Sequence, residues 1–182
     1  MLLRKQYSGR LDAMRSEVIF SCWDEYATCW IVAGMGADPL PGYQQILLEV
    51  LGDTRSRANA CIRAYRRHGD VERLLQEVCV LYGDLLKFAS YFAGTLVGQG
   101  KVLADVQEAN KAIADSWFAP YFDCLQQVMA DLANSWGDWQ DEVRFQAIAD
   151  IFIDMVEDGG IEMTAMEDGG IYANVPFSLT TL

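Results

Sequence analysis

Apolar residues recur at helical spacing near the start of the chain. One stripe is formed by residues three or four positions apart: Leu11, Met14, Val18, Cys22, Tyr26 or Cys29, and Trp30. This period is typical of an amphipathic helix. The pattern predicts a long helix over Arg10–Val32, with Ser8 as its capping residue.

Glycine and proline interrupt the pattern at residues 34–42, where the sequence reads GMGADPLPG. We expect a short helix over Tyr43–Leu51 that ends at Gly52. Asp53 or Thr54 then has the side chain needed to cap a further helix, which runs to His68. Gly69 occupies the position where a left-handed residue commonly ends a helix.

The longest apolar run, residues 78–98, belongs to a helix that Asp70 can cap. Asp84 and Lys87 interrupt the middle of this run, where a charged side chain would be unfavourable in lipid. We therefore predict a buried central helix rather than a membrane span. Gly98 and Gly100 mark the end of that helix.

Three further helices are predicted in the second half. The first covers residues 101–116, and Pro120 marks a boundary before the second, at 121–135. Asp138 is placed to cap the third, which runs to about Val156.

The period changes from helix to strand after Gly160. Residues 161–166 alternate, residues 171–175 are rich in β-formers, and an Asp-Gly turn signal separates them. The pentapeptide EDGGI occurs twice, starting at Glu157 and Glu167. We expect the first copy to end a helix and the second to turn a hairpin, each with a glycine at positive φ.

The predicted fold is a mostly α single domain over residues 1–182, a bundle of six to seven helices closed by a short C-terminal β-hairpin at 161–175. The length and the 52% hydrophobic content suit one sizeable core.

Charge is distributed very unevenly. The formal net charge is −12, yet residues 1–104 carry 12 Lys and Arg against 11 Asp and Glu. Residues 105–182 carry two basic and 15 acidic residues, a net charge of −13. We call residues 105–182 the acidic half. This sign disfavours direct binding of nucleic acid and of anionic membranes.

Basic residues cluster between Arg55 and Arg73. Arg63, Arg66 and Arg67 form a basic patch at the end of a predicted helix. These arginines can pair with the acidic half, but they are too few to neutralise it. A surplus of carboxylates is therefore expected to face solvent and to attract a basic partner.

Candidate partner-binding residues combine carboxylates of the acidic half with two indoles. They are Asp138, Asp141, Glu142, Asp150, Asp154, Glu157, Asp158, Trp136 and Trp139. Aromatic anchors ringed by charge suit a protein interface, although a core position for the two indoles is the alternative.

The sequence favours a non-enzymatic interaction factor, an acidic inhibitor, immunity or anti-defence type of protein that occupies a basic, nucleic-acid-handling surface of a protein partner. One alternative is a small helical subunit of a larger assembly, and homo-oligomers are possible. Another is a divalent-metal-dependent enzyme that uses Asp150, Asp154 and Glu157, which are weak candidate metal ligands at helical spacing. No cofactor is predicted.

Other chemistry finds little support in the sequence. Five cysteines without a CxxC pair and a single histidine, His68, do not make a zinc site. His68, at a predicted helix end, is expected to bond the last carbonyls of that helix rather than to act in catalysis. The glycine stretches lack the spacing of phosphate-binding loops. Reduced cysteines and the absence of an apolar leader lead us to expect a cytoplasmic protein.

Overall fold

Helices make up most of the chain. The computed structural model describes residues 6–139, 141–178 and 181. Within those residues, the α-helices are α1 (Arg10–Val32), α2 (Leu40–His68), α3 (Val71–Gly98), α4 (Gln107–Ala114), α5 (Ala119–Asn134) and α6 (Gln146–Asp158). Strands β1 (Glu162–Ala165) and β2 (Ile171–Asn174) follow them. The predicted fold class, a helical bundle closed by a C-terminal hairpin, is confirmed.

Helix α3 is the centre of the bundle. It packs along α1 and α2 and also contacts α5 and α6. Fourteen of its residues are buried, including Tyr82 and Phe92. The interrupted apolar run is thus a core helix, as predicted. Within the described residues, no helix is both long and apolar enough to cross a bilayer.

Helices α1 and α3 run parallel and touch through two glycines. A Cβ added at Gly94 would overlap the backbone carbonyl of Tyr26, and one at Gly98 would overlap that of Trp30. These glycines lie four residues apart on α3, as do their partners on α1, so one turn of each helix rests on one turn of the other. Only residues without a side chain permit so close an approach.

Helix α2 is continuous, so the prediction of two helices separated at Gly52 was wrong. Gly52 keeps helical backbone angles because the buried stripe of Leu47, Leu51 and Ala58 continues across it. Thr54 does not cap a helix; its hydroxyl donates to the Val50 carbonyl, 2.7 Å away.

The predicted helix ends were partly correct. Asp70 caps α3 by accepting the Arg73 amide at 3.0 Å, and Gly69 has the left-handed φ of 70°. Ser8 is not the cap of α1, which begins after Gly9 without a side-chain cap. Instead, the Ser8 amide and hydroxyl both donate to the Asp12 carboxylate.

The helix predicted to start at Asp138 begins later. Residues 141–142 and the preceding turn are irregular, and a short 3-10 helix at Val143–Phe145 leads into α6. Asp141 accepts the Val143 amide at 3.0 Å and so starts this 3-10 helix. The predicted helix at 101–116 is likewise a short 3-10 helix, Leu103–Asp105, followed by α4.

The two copies of EDGG perform different backbone tasks. Gly160, with φ 95°, ends the turn after α6, and Gly169, with φ 84°, lies in the hairpin turn. β1 and β2 pair antiparallel, with Met163 opposite Ala173. The hairpin turn also packs against the start of α1, where the Arg10 amide donates to the Gly169 carbonyl at 2.9 Å.

All five cysteines are free. Cys22 and Cys29 are buried, Cys61 and Cys79 are half-buried, and Cys124 is exposed. Burial raises the pKa of Cys22 and of Cys79 to about 12. Both thiols therefore serve as small apolar groups in the core, as the sequence led us to expect.

Candidate protein-binding surface

The carboxylates of the acidic half face solvent. Of its 15 acidic residues, 14 are exposed, and Glu142 is half-buried. An ion pair between the Arg15 guanidinium and Asp150 joins α1 to this half of the chain. Because 14 of these carboxylates are exposed, the net charge of −13 acts outward as a negative field.

Helix α6 carries its acidic stripe alongside α1. Phe145, just before α6, contacts the ring of Trp23, and Asp150 farther along pairs with Arg15. The two helices therefore run antiparallel. Asp150, Asp154 and Glu157 lie four and three residues apart on α6, so they share one side of that helix over about 10 Å. We call these three residues, together with Asp138 and Asp141 in the segment before α6, the acidic face.

One end of the acidic face holds a cluster of indoles. Trp136 lies 5.2 Å from Trp139, 5.8 Å from Trp23 and 5.7 Å from Trp30, measured between ring centres. Trp139 is half-buried, and its indole N–H donates to the Leu132 carbonyl at 3.2 Å. Trp23 is 5% exposed, whereas Trp136 is 49% exposed. Three neighbouring rings hold Trp136 in place while half of it remains open to solvent.

Most of the predicted partner-binding residues are exposed: Asp138, Asp141, Asp150, Asp154, Glu157, Asp158 and Trp136. Three of these carboxylates also have contacts within the protein: Asp150 with Arg15, Asp158 with the Tyr121 hydroxyl and Asp141 with the Val143 amide. Trp139 and Glu142 are half-buried.

The Tyr121 hydroxyl donates to Asp158 and joins α5 to the end of α6. Burial, with the Asp158 carboxylate as a second cause, raises the pKa of Tyr121 above its ordinary value. Neither Tyr121 nor Arg15 was identified from the sequence. No local signal could have found Arg15, because it lies far from Asp150 in the chain.

The arginine helix, α2, does reach the acidic half. The Arg55 guanidinium lies 4.5 Å from the centre of the Trp117 ring and 3.5 Å from the Tyr82 hydroxyl. Arg66 donates to the Pro176 carbonyl at 2.7 Å and stacks 4.0 Å from the Phe177 ring.

Within the basic patch, Arg66 is therefore engaged by the segment after β2, while Arg63 and Arg67 are exposed on the same face of α2. The Arg66 Nε is buried and has no hydrogen-bond partner among the residues that the structure describes. Thus part of the basic patch is used inside the fold and part of it faces solvent.

The geometry gives no support to a metal centre. In the part of the chain that the structure describes, no three His, Cys, Asp or Glu side chains lie together as metal ligands would. Asp150, Asp154 and Glu157 do not form such a group. His68 does not bond the last carbonyls of α2, contrary to expectation; its Nδ1 accepts the Asp70 amide at 2.9 Å.

Comparison with known proteins finds no matching family model, no similar curated protein and no similar solved structure.

Proposed function

We propose that the protein is a non-enzymatic interaction factor that binds a basic surface of a protein partner through its acidic face, with Trp136 as the apolar anchor. The observation that carries this proposal is the exposure of Trp136, 49%, within a cluster that fixes its position. Interfaces derive much of their affinity from a few aromatic anchors, and a prearranged side chain loses little entropy on binding.

The negative charge of the acidic face favours a positively charged partner surface. Exposed carboxylates at Asp138, Asp141, Asp154 and Glu157 extend from the anchor along α6. A face of this sign accelerates encounter with a positive surface and repels a negative one. Protein surfaces that bind phosphate backbones are positive for the same reason. An acidic protein that occupies such a surface would exclude its nucleic acid, which is the action of an inhibitor.

The first experiment is capture of the partner from the native host, followed by binding kinetics with that purified partner. Trp136→Ala should weaken the complex at least tenfold, mainly through faster dissociation, since it removes the anchor. Asp154→Asn with Glu157→Gln should slow association several-fold, and raised salt should do the same.

The matched control is Asp105→Asn with Glu108→Gln. It removes the same charge from two exposed positions, one in the 3-10 helix before α4 and one in the first turn of α4, which packs on α2 and α5. Association should change less with this pair than with the α6 pair. Equal effects of the two pairs would mean that the carboxylates act through the overall negative charge of the protein and not through a defined acidic face. Indifference of the complex to Trp136→Ala would overturn the proposal.

A second candidate, a helical subunit of an assembly, is favoured by apolar residues at the far end of the bundle. Ile31 and Met35, after the contact of α1 with α3, are 56% and 70% exposed, and Val97 at the end of α3 is 45% exposed. Light scattering of the purified chain distinguishes the two. A monomer that still captures a basic partner supports the interaction factor, whereas a stable oligomer supports the subunit.

A further inference from the structure

A groove separates the N-terminal halves of α1 and α3, and most of its lining comes from these two helices. Its volume is about 630 Å³. Its lining runs from Arg10 to Ser21 on α1 and from Asp70 to Lys87 on α3, or about 17 Å and 25 Å along the two helices. The helices are in backbone contact at Gly94 and Gly98 but leave this space between their earlier turns. Residues from α6 and β2 form part of the lining.

The floor of the groove is apolar. Met14, Val18, Leu75, Cys79 and Phe152 line it together with Ile171. Val80 at the edge is 56% exposed. A small molecule lying within the groove would leave such an edge residue in water, whereas a helix about 10 Å across would cover it. Two parallel helices with apolar residues between them also form the surface into which a third helix packs.

Gly83 leaves open space on the α3 wall of the groove. It lies in the middle of α3 and lines the groove, yet a Cβ added there would meet nothing within 4 Å. A glycine inside a helix is less stable than alanine by roughly 0.5–1 kcal/mol. At Gly94 and Gly98 the packing of α1 explains the glycine; at Gly83 no contact within the described fold does.

Charge at the rim indicates the character of the occupant. The Arg10 guanidinium forms a double hydrogen bond with Glu72 at 2.6 and 2.5 Å, and Arg73 bonds Glu77 at 2.8 Å. Glu77 lies outside the lining, which holds four carboxylates, Glu17, Asp70, Glu72 and Asp84, against three cations, Arg10, Arg73 and Lys87, for a net charge of −1. Glu17 on α1 and Asp84 on α3 give each wall an exposed carboxylate.

We infer that the α1–α3 groove binds an amphipathic helix of a partner protein, with its apolar face on the groove floor and lysine or arginine residues on its flanks beside Glu17 and Asp84. This site is independent of the acidic face and does not rest on Trp136. It gives the protein a second, more specific means of engaging a protein with a basic helix.

The test uses two designed 18-residue helical peptides that share a leucine face and differ only in Lys or Glu flanks. Fluorescence anisotropy at physiological salt should show the Lys peptide binding at least tenfold more tightly than the Glu peptide. Gly83→Phe places a large side chain in the open space of the groove and should lower the affinity for the Lys peptide at least tenfold. Gly83→Ala, the matched control, should change affinity less than threefold.

Two further variants keep the inference falsifiable. The double variant Glu17→Lys with Asp84→Lys changes two exposed residues and should weaken binding of the Lys peptide. It tests the inference even if Gly83→Phe folds poorly, which circular dichroism would reveal. Trp136→Ala should leave peptide binding unchanged while weakening the partner of the acidic face, so the two sites can fail separately. Equal affinity of both peptides, no binding by the Lys peptide, or full binding to the double Lys variant would overturn the inference.

Discussion

The guanidinium of Arg55, on α2, lies 4.5 Å above the ring of Trp117, in the acidic half of the chain. Tyr82 on α3 contacts the same Trp117 ring at 5.9 Å and holds its hydroxyl 3.5 Å from Arg55. Arg55 of the arginine-bearing helix thus contacts the acidic half through an aromatic ring. This contact joins α2 and α3 to the turn before α5.

Removing that cation should destabilise the fold. A partly buried cation–π contact is worth about 1–2 kcal/mol, and Arg55→Ala also takes away the polar neighbour of the buried Tyr82 hydroxyl. We expect Arg55→Ala to lower the free energy of unfolding by about 1–2 kcal/mol in urea denaturation. Arg57→Ala, two residues on and exposed, is the control and should change it by less than about 0.5 kcal/mol. Equal effects would show that the Trp117 contact contributes nothing.

Alanine substitution of two glycines of α3 should change the free energy of unfolding in opposite directions: Gly94→Ala should lower it and Gly83→Ala should raise it. Gly94→Ala forces a methyl group against the Tyr26 carbonyl, so α1 and α3 must separate, at a cost of about 1–3 kcal/mol. Gly83→Ala meets nothing within 4 Å and should stabilise the protein by about 0.5–1 kcal/mol. Thermal and urea unfolding of the two variants measure both signs. A stable Gly94→Ala protein would contradict the close contact of the helices.

The first EDGG copy contains a glycine that is required for packing, not for its backbone angle. Gly159 has a helical φ of −72°, and a Cβ there would overlap the Tyr82 hydroxyl. Gly159→Ala should therefore cost about 1–3 kcal/mol. Tyr82→Phe removes the overlapping oxygen, so the double variant should lose less stability than the two single variants together. Additive losses in a double-mutant cycle would mean that the two residues do not collide.

Because some of its thiols are buried, the protein should lose stability at alkaline pH. Burial raises the pKa of Cys22 to about 12 in the folded protein, whereas an unfolded cysteine ionises at about 8.5. The contribution of this group is fully present below about pH 8.5 and is lost as the pH rises toward 12, by up to about 1.4 kcal/mol per pH unit. Urea unfolding from pH 7.5 to 10.5 should show the decline, and Cys22→Ala should make it shallower. An unchanged slope in that variant would contradict the prediction.

The sequence predicted the helices of the core well because burial repeats at their own period. The stripe of α1 was readable from residues three and four apart, and α3 from its long apolar run. The caps at Asp70 and Gly69 follow from local hydrogen bonding. Gly52 misled the reading of α2, since a glycine ends a helix only when the chain leaves the helical path after it. Here the buried residues on either side keep it helical.

The candidate surface could be predicted only in part. Net charge and its position along the chain are properties of composition, so the exposure of the acidic half was foreseeable. The contacts of Arg15 with Asp150 and of Tyr121 with Asp158 depend on how distant segments meet. The exposure of Trp136 beside the buried Trp23 depends on that same packing, and sequence spacing cannot distinguish the two indoles.

The hydrogen bond between the Arg10 amide and the Gly169 carbonyl has a consequence for the order of folding during synthesis. The first helix leaves the ribosome long before the hairpin turn that completes its amino end has been made. Its partner α3 emerges in between, so α1 can pack along Gly94 and Gly98 while its first turn still lacks a neighbour. The first turn of α1 therefore stays incomplete until the hairpin turn has been synthesised, and a stop codon shortly before Gly169 would leave it incomplete permanently.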